Sequence, residues 1–523
     1  MKINILFFLS MLSLSIHAQS LNSSRPQVKI GGGWVQGSRD TNNVKSFKGI
    51  PYAQPPIGAL RWREPQPVES WSGVKVTDRF SAKPPQTANY PDMVSRSAGQ
   101  SEDCLYLNIW TPASRSGEKL PVLVYFYGGG FVSGDGSENR YDGSSMARKG
   151  VVTVTLNYRL GVFGLFSHPE LTKESVHHSS GNYGLMDQHA ALVWVKNNIA
   201  AFGGDPQKVT IGGESAGSMS ISAQMASPLS KGLFRGAIGE SGSILGTASP
   251  APLNQAEQAG IRFLNGIGKR TIEELRRIPA DELLNLSQPY HFPLTVDGYL
   301  LPESPELIFA TGRQMDIPLL AGWNSAEVDY RSLLGTDAPT INNYQQKVRQ
   351  LYGRHADDVL KAYVARSDSD VLRAATDLAS DRFIVFNTWK WIDLHGKTNG
   401  YPVYRYLFAR QPEPVVLSQG NGVTALGAKH AVEIDYGLGN LASNHLYQWT
   451  PGDLQVSAIM QGYLVNFIKS GDPNGPGLPK WYGMQSSIPK VQILDVNTKS
   501  EPEKNLRRYL LLDKINAEVG RSR

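Results

Sequence analysis

Three short apolar runs, each rich in β-branched residues, set the strongest limit on how this chain folds. They occupy positions 121–126, 151–156 and 209–211; the first ends in glycines, and the last runs directly into glycine. Continuous apolar runs of this length are typical of strands that are buried on both faces of a parallel sheet. Residues 190–199, which lie between them, carry a helical apolar period. We therefore predict an α/β fold with a mostly parallel central sheet and flanking helices.

The second half of the chain continues this alternation. Residues 254–286 are predicted to be helical, 319–322 and 403–408 restore strand character, and 342–396 are predicted to form a helical insertion above the sheet. A chain of 523 residues would divide into roughly three domains by length alone. Neither an internal repeat nor a Ser/Gly linker marks a boundary, so residues 19–523 are predicted to form one domain.

The amino terminus has the pattern of a cleaved secretory signal. Lys2 supplies the positive charge, residues 3–16 form the apolar stretch, and Ala18 is a small residue suited to the cleavage site. The alternative is a membrane anchor, but the apolar stretch is short for the roughly 20 residues that span a bilayer, and no second span follows. We predict a signal peptide at 1–18 and a secreted or periplasmic protein without a membrane span once the signal is removed.

Composition excludes several classes of protein. The chain has 52 Lys and Arg against 46 Asp and Glu, a formal net charge of +6, and no run of five or more basic residues. Nucleic acids and acidic membranes are therefore not expected as partners. The lone Cys104 cannot form an internal disulfide, which excludes a disulfide scaffold.

The most informative stretch follows the predicted strand at 209–211. It reads Gly-Gly-Glu-Ser-Ala-Gly over 212–217 and leads into a predicted helix at 218–225. A serine on a sharp strand-to-helix turn needs small neighbours, because its backbone is strained and the turn lifts the hydroxyl out of the sheet. In such a turn the amide of the residue after the serine, Ala216, points at a developing oxyanion. A simple glycine-rich turn is the competing interpretation.

A second glycine-rich segment, Tyr-Gly-Gly-Gly-Phe at 127–131, follows the predicted strand at 121–126. Three glycines leave the backbone N–H groups open to a ligand, so they are suited to complete an oxyanion hole with Ala216. A phosphate-binding loop does not fit, because position 133 is serine and no Gly-Lys-Ser/Thr follows. A plain loop is the remaining alternative.

Together these motifs resemble the type-B carboxylesterase/lipase family of α/β-hydrolases, which includes bacterial esterases and the cholinesterases. The resemblance covers about residues 37–481, with the motifs in the family's order. It implies an α/β-hydrolase fold with helical insertions over the active site and Ser215 as the nucleophile. It also implies that the amides of Gly129, Gly130 and Ala216 form the oxyanion hole. The segments that carry the resemblance are 101–108, 127–131, 157–161, 202–206, 213–217 and 241–243.

A serine hydroxyl needs a base, and the base needs a third group to orient it. The order of the triad along the chain in this fold, serine then acid then histidine, leaves five histidines open: His291, His355, His395, His430 and His445. Residues 427–434 resemble the family's catalytic-histidine loop, which implies that His430 is the base. The family usually has glycine where this chain has Ala431.

The position along the chain does not identify the acid of the triad, because many carboxylates lie between Ser215 and His430. Residues 318–327 resemble the family segment that ends in the triad glutamate, which implies that Glu327 is the acid. This chain has Ala326 and Val328 where the family commonly has Asp and Gly. Asp329 is the alternative acid.

Several polar residues near these motifs are predicted to have supporting roles. The resemblance implies that Glu214 and Ser241 support the histidine and an active-site water; the competing interpretation is a turn carboxylate and a solvated serine. Residues 157–159 and Asp187 are predicted to hold loops together. The His-His pair at 177–178 lacks a His-Glu-x-x-His motif or a cysteine pair. We expect neither a metal nor a cofactor.

The departures from the family bear on the substrate. The family commonly has a disulfide between the cysteine at the position of Cys104 and a second cysteine upstream. In this chain the upstream position falls near Pro84, and no cysteine is present there. Cholinesterases bind a quaternary ammonium on a tryptophan in the following loop, whereas residues 86–99 offer only Tyr90. Choline esters are therefore disfavoured, and a neutral or anionic ester is expected. Cys104 is predicted to be a buried free thiol.

The predicted function is the hydrolysis of small-molecule carboxylic esters through an acyl-enzyme. Phe131, His291 and Phe292 are candidate residues for the lining of the substrate pocket. One alternative is the hydrolysis of a related acyl bond, such as an amide or a carbonate. The other is a non-catalytic, adhesion-type relative that binds partners, although an intact set of Ser215, His430 and Glu327 argues against it.

Overall fold

The structure is a computed structural model that describes residues 25–87, 90–415, 426–484 and 489–521. The predicted signal peptide, residues 1–18, lies outside the described residues, so it stays a prediction. Within the described ranges, no helix combines the length and the apolar character needed to cross a bilayer.

A large sheet forms the centre of the structure. The strands of the described residues are β1 (Gln27–Ile30), β2 (Gly33–Gln36), β3 (Ser38–Arg39), β4 (Lys45–Pro51), β5 (Val74–Val76), β6 (Tyr106–Thr111), β7 (Leu120–Phe126), β8 (Val152–Leu156), β9 (Gly204–Glu214), β10 (Gly236–Glu240), β11 (Ala251–Pro252), β12 (Thr295–Val296), β13 (Leu319–Asn324), β14 (Val403–Phe408), β15 (Glu413–Pro414), β16 (Tyr447–Gln448), β17 (Lys490–Leu494) and β18 (Lys499–Pro502). Eleven of these strands form one sheet in the order β18-β17-β14-β13-β10-β9-β7-β8-β6-β4-β3. Strands β1, β2 and β5 form a separate small sheet, and two short pairs complete the set.

The middle of the large sheet is parallel. Every neighbouring pair from β8 across to β17 is parallel, whereas the pairs nearer the two edges are antiparallel. The predicted α/β fold with a mostly parallel central sheet is therefore confirmed. Strand β9 is longer than its apolar run, because it already pairs with β7 where Gly204 lies opposite Leu120.

Helices cover the sheet and form the insertions. They are α1 (Ser144–Arg148), α2 (Gly161–Leu165), α3 (Pro169–Glu174), α4 (Tyr183–Asn198), α5 (Ala216–Ala226), α6 (Leu253–Gly266), α7 (Ile272–Arg276), α8 (Ala280–Ser287), α9 (Pro305–Ala310), α10 (Arg331–Leu334), α11 (Ile341–Tyr352), α12 (Ala356–Ala362), α13 (Asp368–Ser380), α14 (Phe386–Thr398), α15 (Glu433–Leu438), α16 (Pro451–Ser470) and α17 (Leu506–Arg521). A π-helical segment, Asp381–Val385, joins α13 to α14. The helical predictions at 254–286 and 342–396 are confirmed by α6–α8 and α11–α14.

Helix α4 begins earlier than the predicted helix at 190–199. Its first six residues, 183–188, are all buried. A helix that is apolar or buried on every side has no amphipathic period to detect, which is why the sequence pattern indicated only its second half.

The beginning of α4 is fixed by a buried ion pair. The guanidinium of Arg159 donates two hydrogen bonds to the carboxylate of Asp187, at 2.7 and 2.8 Å, and the Arg159 backbone N–H donates a third at 2.9 Å. The two side chains are 3% and 0% exposed. A bidentate pair of this kind is strong because both charges are hydrogen-bonded. These contacts confirm the predicted structural role for Arg159 and Asp187.

The loop at 86–99 is closed without a disulfide. Cys104 is free and buried, as predicted, and burial raises the pKa of its thiol well above the usual range. At the base of the loop, the Lys83 N–H donates to the Gly99 carbonyl and the Ser101 N–H donates to the Lys83 carbonyl, both at 2.9 Å. Backbone pairing therefore joins the two ends of the loop.

Two ion pairs hold the body of this loop against the segment that leads into α1. Arg96 lies 2.7 Å from Asp142, and Asp92 lies 2.8 Å from Arg140. The Arg140 side chain is only 5% exposed, so this second pair anchors the loop to a buried charge.

Candidate active site

Ser215 lies on the turn between β9 and α5, at the carboxyl edge of the sheet. Its φ of 53° and ψ of −121° are a strained conformation for a residue other than glycine. A Cβ on Gly213 would lie 2.7 Å from the carbonyl carbon of Gly217, and a Cβ on Gly217 would lie 2.1 Å from the Phe126 oxygen. The two glycines are thus required by the close approach of backbone on either side of the serine.

His430 joins Ser215 to Glu327 through two hydrogen bonds. Its Nε2 lies 2.9 Å from the Ser215 Oγ, and its Nδ1 lies 2.7 Å from the Glu327 Oε2. Glu327 follows β13, whereas His430 precedes α15, and the His430 N–H donates to the Glu327 carbonyl at 3.2 Å. Two loops that are 103 residues apart in the chain therefore meet beside the serine.

Other candidates for the base and the acid have different surroundings. His395 is buried with its Nε2 2.9 Å from the Ile317 carbonyl. Asp329, the alternative acid, has a 49% exposed side chain that lies 3.3 Å from Arg331. Asp329 thus faces solvent, whereas the carboxylate of Glu327 contacts the imidazole.

The Glu327 carboxylate is buried and held by further donors. Its Oε1 accepts hydrogen bonds from the Ser241 hydroxyl and from the Asn324 backbone N–H, both at 2.7 Å. Ser241 is fully buried, so the interpretation of a solvated serine is wrong. These donors fix the orientation of the carboxylate toward the imidazole.

Glu214 is the second carboxylate beside the imidazole. Its Oε1 lies 3.1 Å from the His430 Nε2, and burial raises the pKa of Glu214 well above its usual range. Burial also opposes protonation of His430, but the carboxylates of Glu214 and Glu327 outweigh it and hold the pKa of His430 above its ordinary value. Glu214 therefore bears on the protonation of His430.

Two further buried acids were not indicated by the sequence patterns. Glu433 lies 3.1 Å from the Ser241 hydroxyl, and burial together with Glu327 raises its pKa to about 7. Glu240 accepts a 2.5 Å hydrogen bond from the Tyr125 hydroxyl, and burial together with Glu433 raises its pKa to about 8. Glu240 ends β10 opposite Glu214, which ends β9. For Glu240, the position at the carboxyl end of a strand parallel to β9 was the available signal.

The glycine segment after β7 lies against the serine turn. A Cβ on Gly128 would lie 3.1 Å from the Ser215 Cβ, and Gly129 and Gly130 have φ values of 106° and 63°. Within the described part of the chain, the N–H groups of Gly129 and Gly130 donate to no protein acceptor. The N–H of Ala216, at the first position of α5, has no acceptor within the helix. The three amides predicted for the oxyanion hole thus have no protein acceptor among the described residues.

A cavity of about 460 Å³ opens beside the glycine segment. Phe131, His291 and Phe292, the three predicted lining residues, all line it. The two phenylalanines are buried, whereas His291 is exposed. None of the described residues that line this cavity is an Asp, Glu, Lys or Arg.

The His-His pair at 177–178 has a different environment. The His177 ring stacks on Tyr299 with centroids 3.6 Å apart, and its Nε2 lies 3.6 Å from Glu64. Across the described ranges, no three His, Cys, Asp or Glu side chains are grouped so that they could hold a metal ion.

Comparisons with known proteins agree on one family. A family model described as "Carboxylesterase family" matches residues 24–510. The chain is 36% identical to a fumonisin B1 esterase of Sphingopyxis macrogoltabida, over 84% of this chain and 81% of that protein. It is 34% identical to the para-nitrobenzyl esterase of Bacillus subtilis, over 92% and 98% of the two chains. The crystal structure of the carboxylesterase EST55 of Geobacillus stearothermophilus superposes with a TM-score of 0.80 at 30% identity, covering 93% of this chain and all of that one.

Proposed function

Because the chain belongs to the carboxylesterase family of carboxylic-ester hydrolases, we propose that it cleaves small-molecule esters through an acyl-enzyme on Ser215. The observation that supports this most is the 2.9 Å contact of the Ser215 Oγ with His430, which continues as the 2.7 Å bond to Glu327. A hydroxyl, an imidazole and a buried carboxylate in this order of contact can perform acyl transfer.

The first half-reaction forms the acyl-enzyme. The His430 Nε2 takes the proton of the Ser215 hydroxyl while the Oγ attacks the ester carbonyl carbon. Glu327 stabilises the imidazolium that results and holds the imidazole in the required tautomer. The imidazolium then gives its proton to the departing alcohol, which leaves the acyl group on the serine.

The carbonyl oxygen becomes an oxyanion as the tetrahedral intermediate forms. In the proposed mechanism the N–H groups of Gly129, Gly130 and Ala216 bind this oxygen. Donors fixed in the backbone need no reorganisation during the reaction, and removal of one such donor typically costs about 3 kcal/mol of transition-state stabilisation.

The second half-reaction releases the acid. His430 takes a proton from water, the resulting hydroxide attacks the acyl carbon, and the same amides bind the second oxyanion. Collapse of this intermediate returns the proton from His430 to Ser215. No cofactor takes part in either half-reaction.

The cavity beside the glycine segment supports a preference for neutral esters. The described lining residues carry no fixed charge, and Phe131, Phe292 and Met219 supply apolar surface. A quaternary ammonium in such a cavity would lose its hydration without gaining a carboxylate, and no tryptophan is among the described lining residues to offer its face to the cation.

This preference is testable with a matched pair of substrates. Acetylcholine and 3,3-dimethylbutyl acetate have the same shape and differ only in the charge of the quaternary atom. We expect kcat/KM to be higher for the neutral ester by about tenfold or more, the factor that corresponds to about 1.4 kcal/mol. Titration of the released acid measures both rates. Equal values, or a preference for the choline ester, would contradict the proposed substrate class.

The contact between Glu214 and His430 predicts a specific pH dependence. Activity requires neutral His430, so kcat/KM declines as the pH falls through the apparent pKa of the His430 and Glu214 pair. Because the Glu214 carboxylate holds the pKa of His430 up, Glu214→Gln lowers it. We expect the acidic limb of the kcat/KM profile to move to lower pH by about one unit.

Glu240→Gln is the control for this shift. It removes another buried carboxylate, but one that is bonded to Tyr125, so the limb should stay in place. Profiles of both variants and the wild type are measured with one neutral ester, and thermal unfolding of each protein confirms that it is folded. If the acidic limb of the kcat/KM profile does not move in Glu214→Gln, or moves to higher pH, the result contradicts the role assigned to Glu214.

We further propose that residues 19–523 are exported as one unit after removal of a signal at 1–18. Support for the leader comes from Lys2, the apolar stretch and Ala18. Support for one unit comes from the main buried core, whose members range from Ile30 to Leu512.

A further inference from the structure

A second cavity lies on the opposite edge of the sheet from Ser215. It has a volume of about 770 Å³, and residues at the beginning of β10 and β13 line it. Thr210 of β9 also lines it, and at about 3.3 Å per residue of strand this places the cavity about 16 Å from the serine turn. The cavity is thus separate from the one that the proposed ester substrate enters.

The floor of this second cavity is apolar. It consists of four buried side chains: Met225, Phe234, Ile317 and Phe467. A concave, apolar floor in a volume of this size is typical of sites for small organic molecules.

The rim is basic, and one of its cations is fixed in place. The Arg235 Nη2 donates to the carbonyls of Ile468 and Lys469, at 3.3 and 2.7 Å. The remaining N–H donors of this guanidinium have no acceptor among the described residues. Burial lowers the pKa of Arg235, so its charge is incompletely solvated. An oriented guanidinium with free donors is suited to a carboxylate.

The other charges at the rim give it an excess of positive charge. Lys231 and Arg313 also line the cavity, and Asp316 is the one acid among the described lining residues. Arg313 is paired with Glu303, and the Asp316 carboxylate accepts from the Gly400 N–H at 2.7 Å. Within the described part of the chain, neither Lys231 nor Arg235 has a carboxylate at ion-pair distance. These two cations are the ones available to a ligand.

We propose that this cavity binds a monocarboxylate with an apolar body, such as a medium-chain fatty acid. The carboxylate lies at Arg235 and Lys231, and the hydrocarbon covers the apolar floor. Inorganic anions use only the rim, and neutral molecules use only the floor. A carboxylate with an alkyl chain uses both.

The site contacts the helix that begins at the proposed nucleophile. Helix α5 starts at Ala216, and Met225 near its end lines the cavity, as does Ser227 just beyond it. The Met225 carbonyl also accepts from the Met315 N–H at 3.0 Å. Carboxylates of this kind are the acids that ester hydrolysis releases; this link alone rests on the proposed function.

Methionine methyl groups report on the two cavities separately. Met225 and Met315 line the cavity proposed here, whereas Met219 lines the cavity beside the glycine segment. We would label the full chain with [methyl-¹³C]methionine, assign these signals with single Met→Leu variants, and titrate with octanoate and with 1-octanol as the neutral control. We expect saturable shifts of Met225 and Met315 with octanoate, at an affinity at least tenfold above that for octanol.

Variants of the two cations complete the test. Lys231→Gln and Arg235→Gln should each weaken octanoate binding by about fivefold or more, while Arg349→Gln, which removes a cation that does not line the cavity, should leave it unchanged. Lys231 is exposed, so its variant tests the charge even where Arg235→Gln fails to fold. Shifts confined to Met219, equal affinity for octanol, or unchanged binding in Lys231→Gln would overturn the proposal. The readout needs no turnover, so its failure is distinct from failure of the proposed esterase activity.

Discussion

Replacing Ser215 with alanine is expected to lower kcat for 4-nitrophenyl butyrate by at least about a thousandfold, the scale of other nucleophile knockouts. Without the Oγ no acyl-enzyme forms, and the oxyanion donors alone assist only a slow direct attack by water. Release of 4-nitrophenolate at 400 nm measures the rate. A burst of product in the wild type, absent from the variant, would report the acyl-enzyme directly.

Ser369→Ala is the matched control for this experiment. Ser369 is an exposed serine on α13 and lines neither the cavity beside the glycine segment nor the second cavity. Its removal should leave kcat within about twofold, as expected for a surface position. Equal rates for Ser215→Ala and the wild type would contradict the mechanism. Absence of turnover in the wild type would favour a non-catalytic binding protein.

Replacing Glu327 with glutamine is expected to lower kcat by at least about a thousandfold while the protein stays folded. Glutamine has nearly the same shape, but its amide donates to the His430 Nδ1 and so stabilises the tautomer that carries its proton on Nε2. That tautomer cannot take the Ser215 proton. Steady-state rates with the same ester, together with unfolding by urea, separate a catalytic loss from a loss of stability.

Asp329→Asn is the comparison that decides between the two candidate acids. Asp329 lies two residues further along, and its half-exposed carboxylate pairs with Arg331. We expect its rate to match the wild type within about twofold, because surface substitutions of this kind have small effects. If Asp329→Asn were inactive and Glu327→Gln active, the assignment of the acid would be reversed.

Local signals were enough to predict the centre of the sheet and the serine turn. Strands β7, β8 and β9 have continuous apolar runs, and the glycines around Ser215 follow from the backbone that approaches within 2.1 to 2.7 Å of where their side chains would lie. Such features depend on residues close in the sequence, and a single chain displays them.

The partners of the serine were harder to predict, because they depend on contacts between distant segments. His430 lies 215 residues after Ser215, and Glu327 lies 103 residues before His430. Chain order left five histidines open, and only the resemblance to a family reduced them to one. Glu433 was missed for the same reason, because nothing near it in the sequence indicates that it is buried beside other acids.

Because the chain has a single cysteine, the loop at 86–99 is closed without a disulfide, and assembly of this protein does not depend on the redox state of its surroundings. Backbone pairing at Lys83 and ion pairs at Arg96 and Arg140 hold the loop in the place of a disulfide. The one thiol, that of Cys104, is buried, and burial raises its pKa. Folding therefore needs no oxidant or disulfide isomerase, and dithiothreitol has no internal disulfide to reduce. Salt, which screens partly exposed ion pairs, is the agent that weakens this loop.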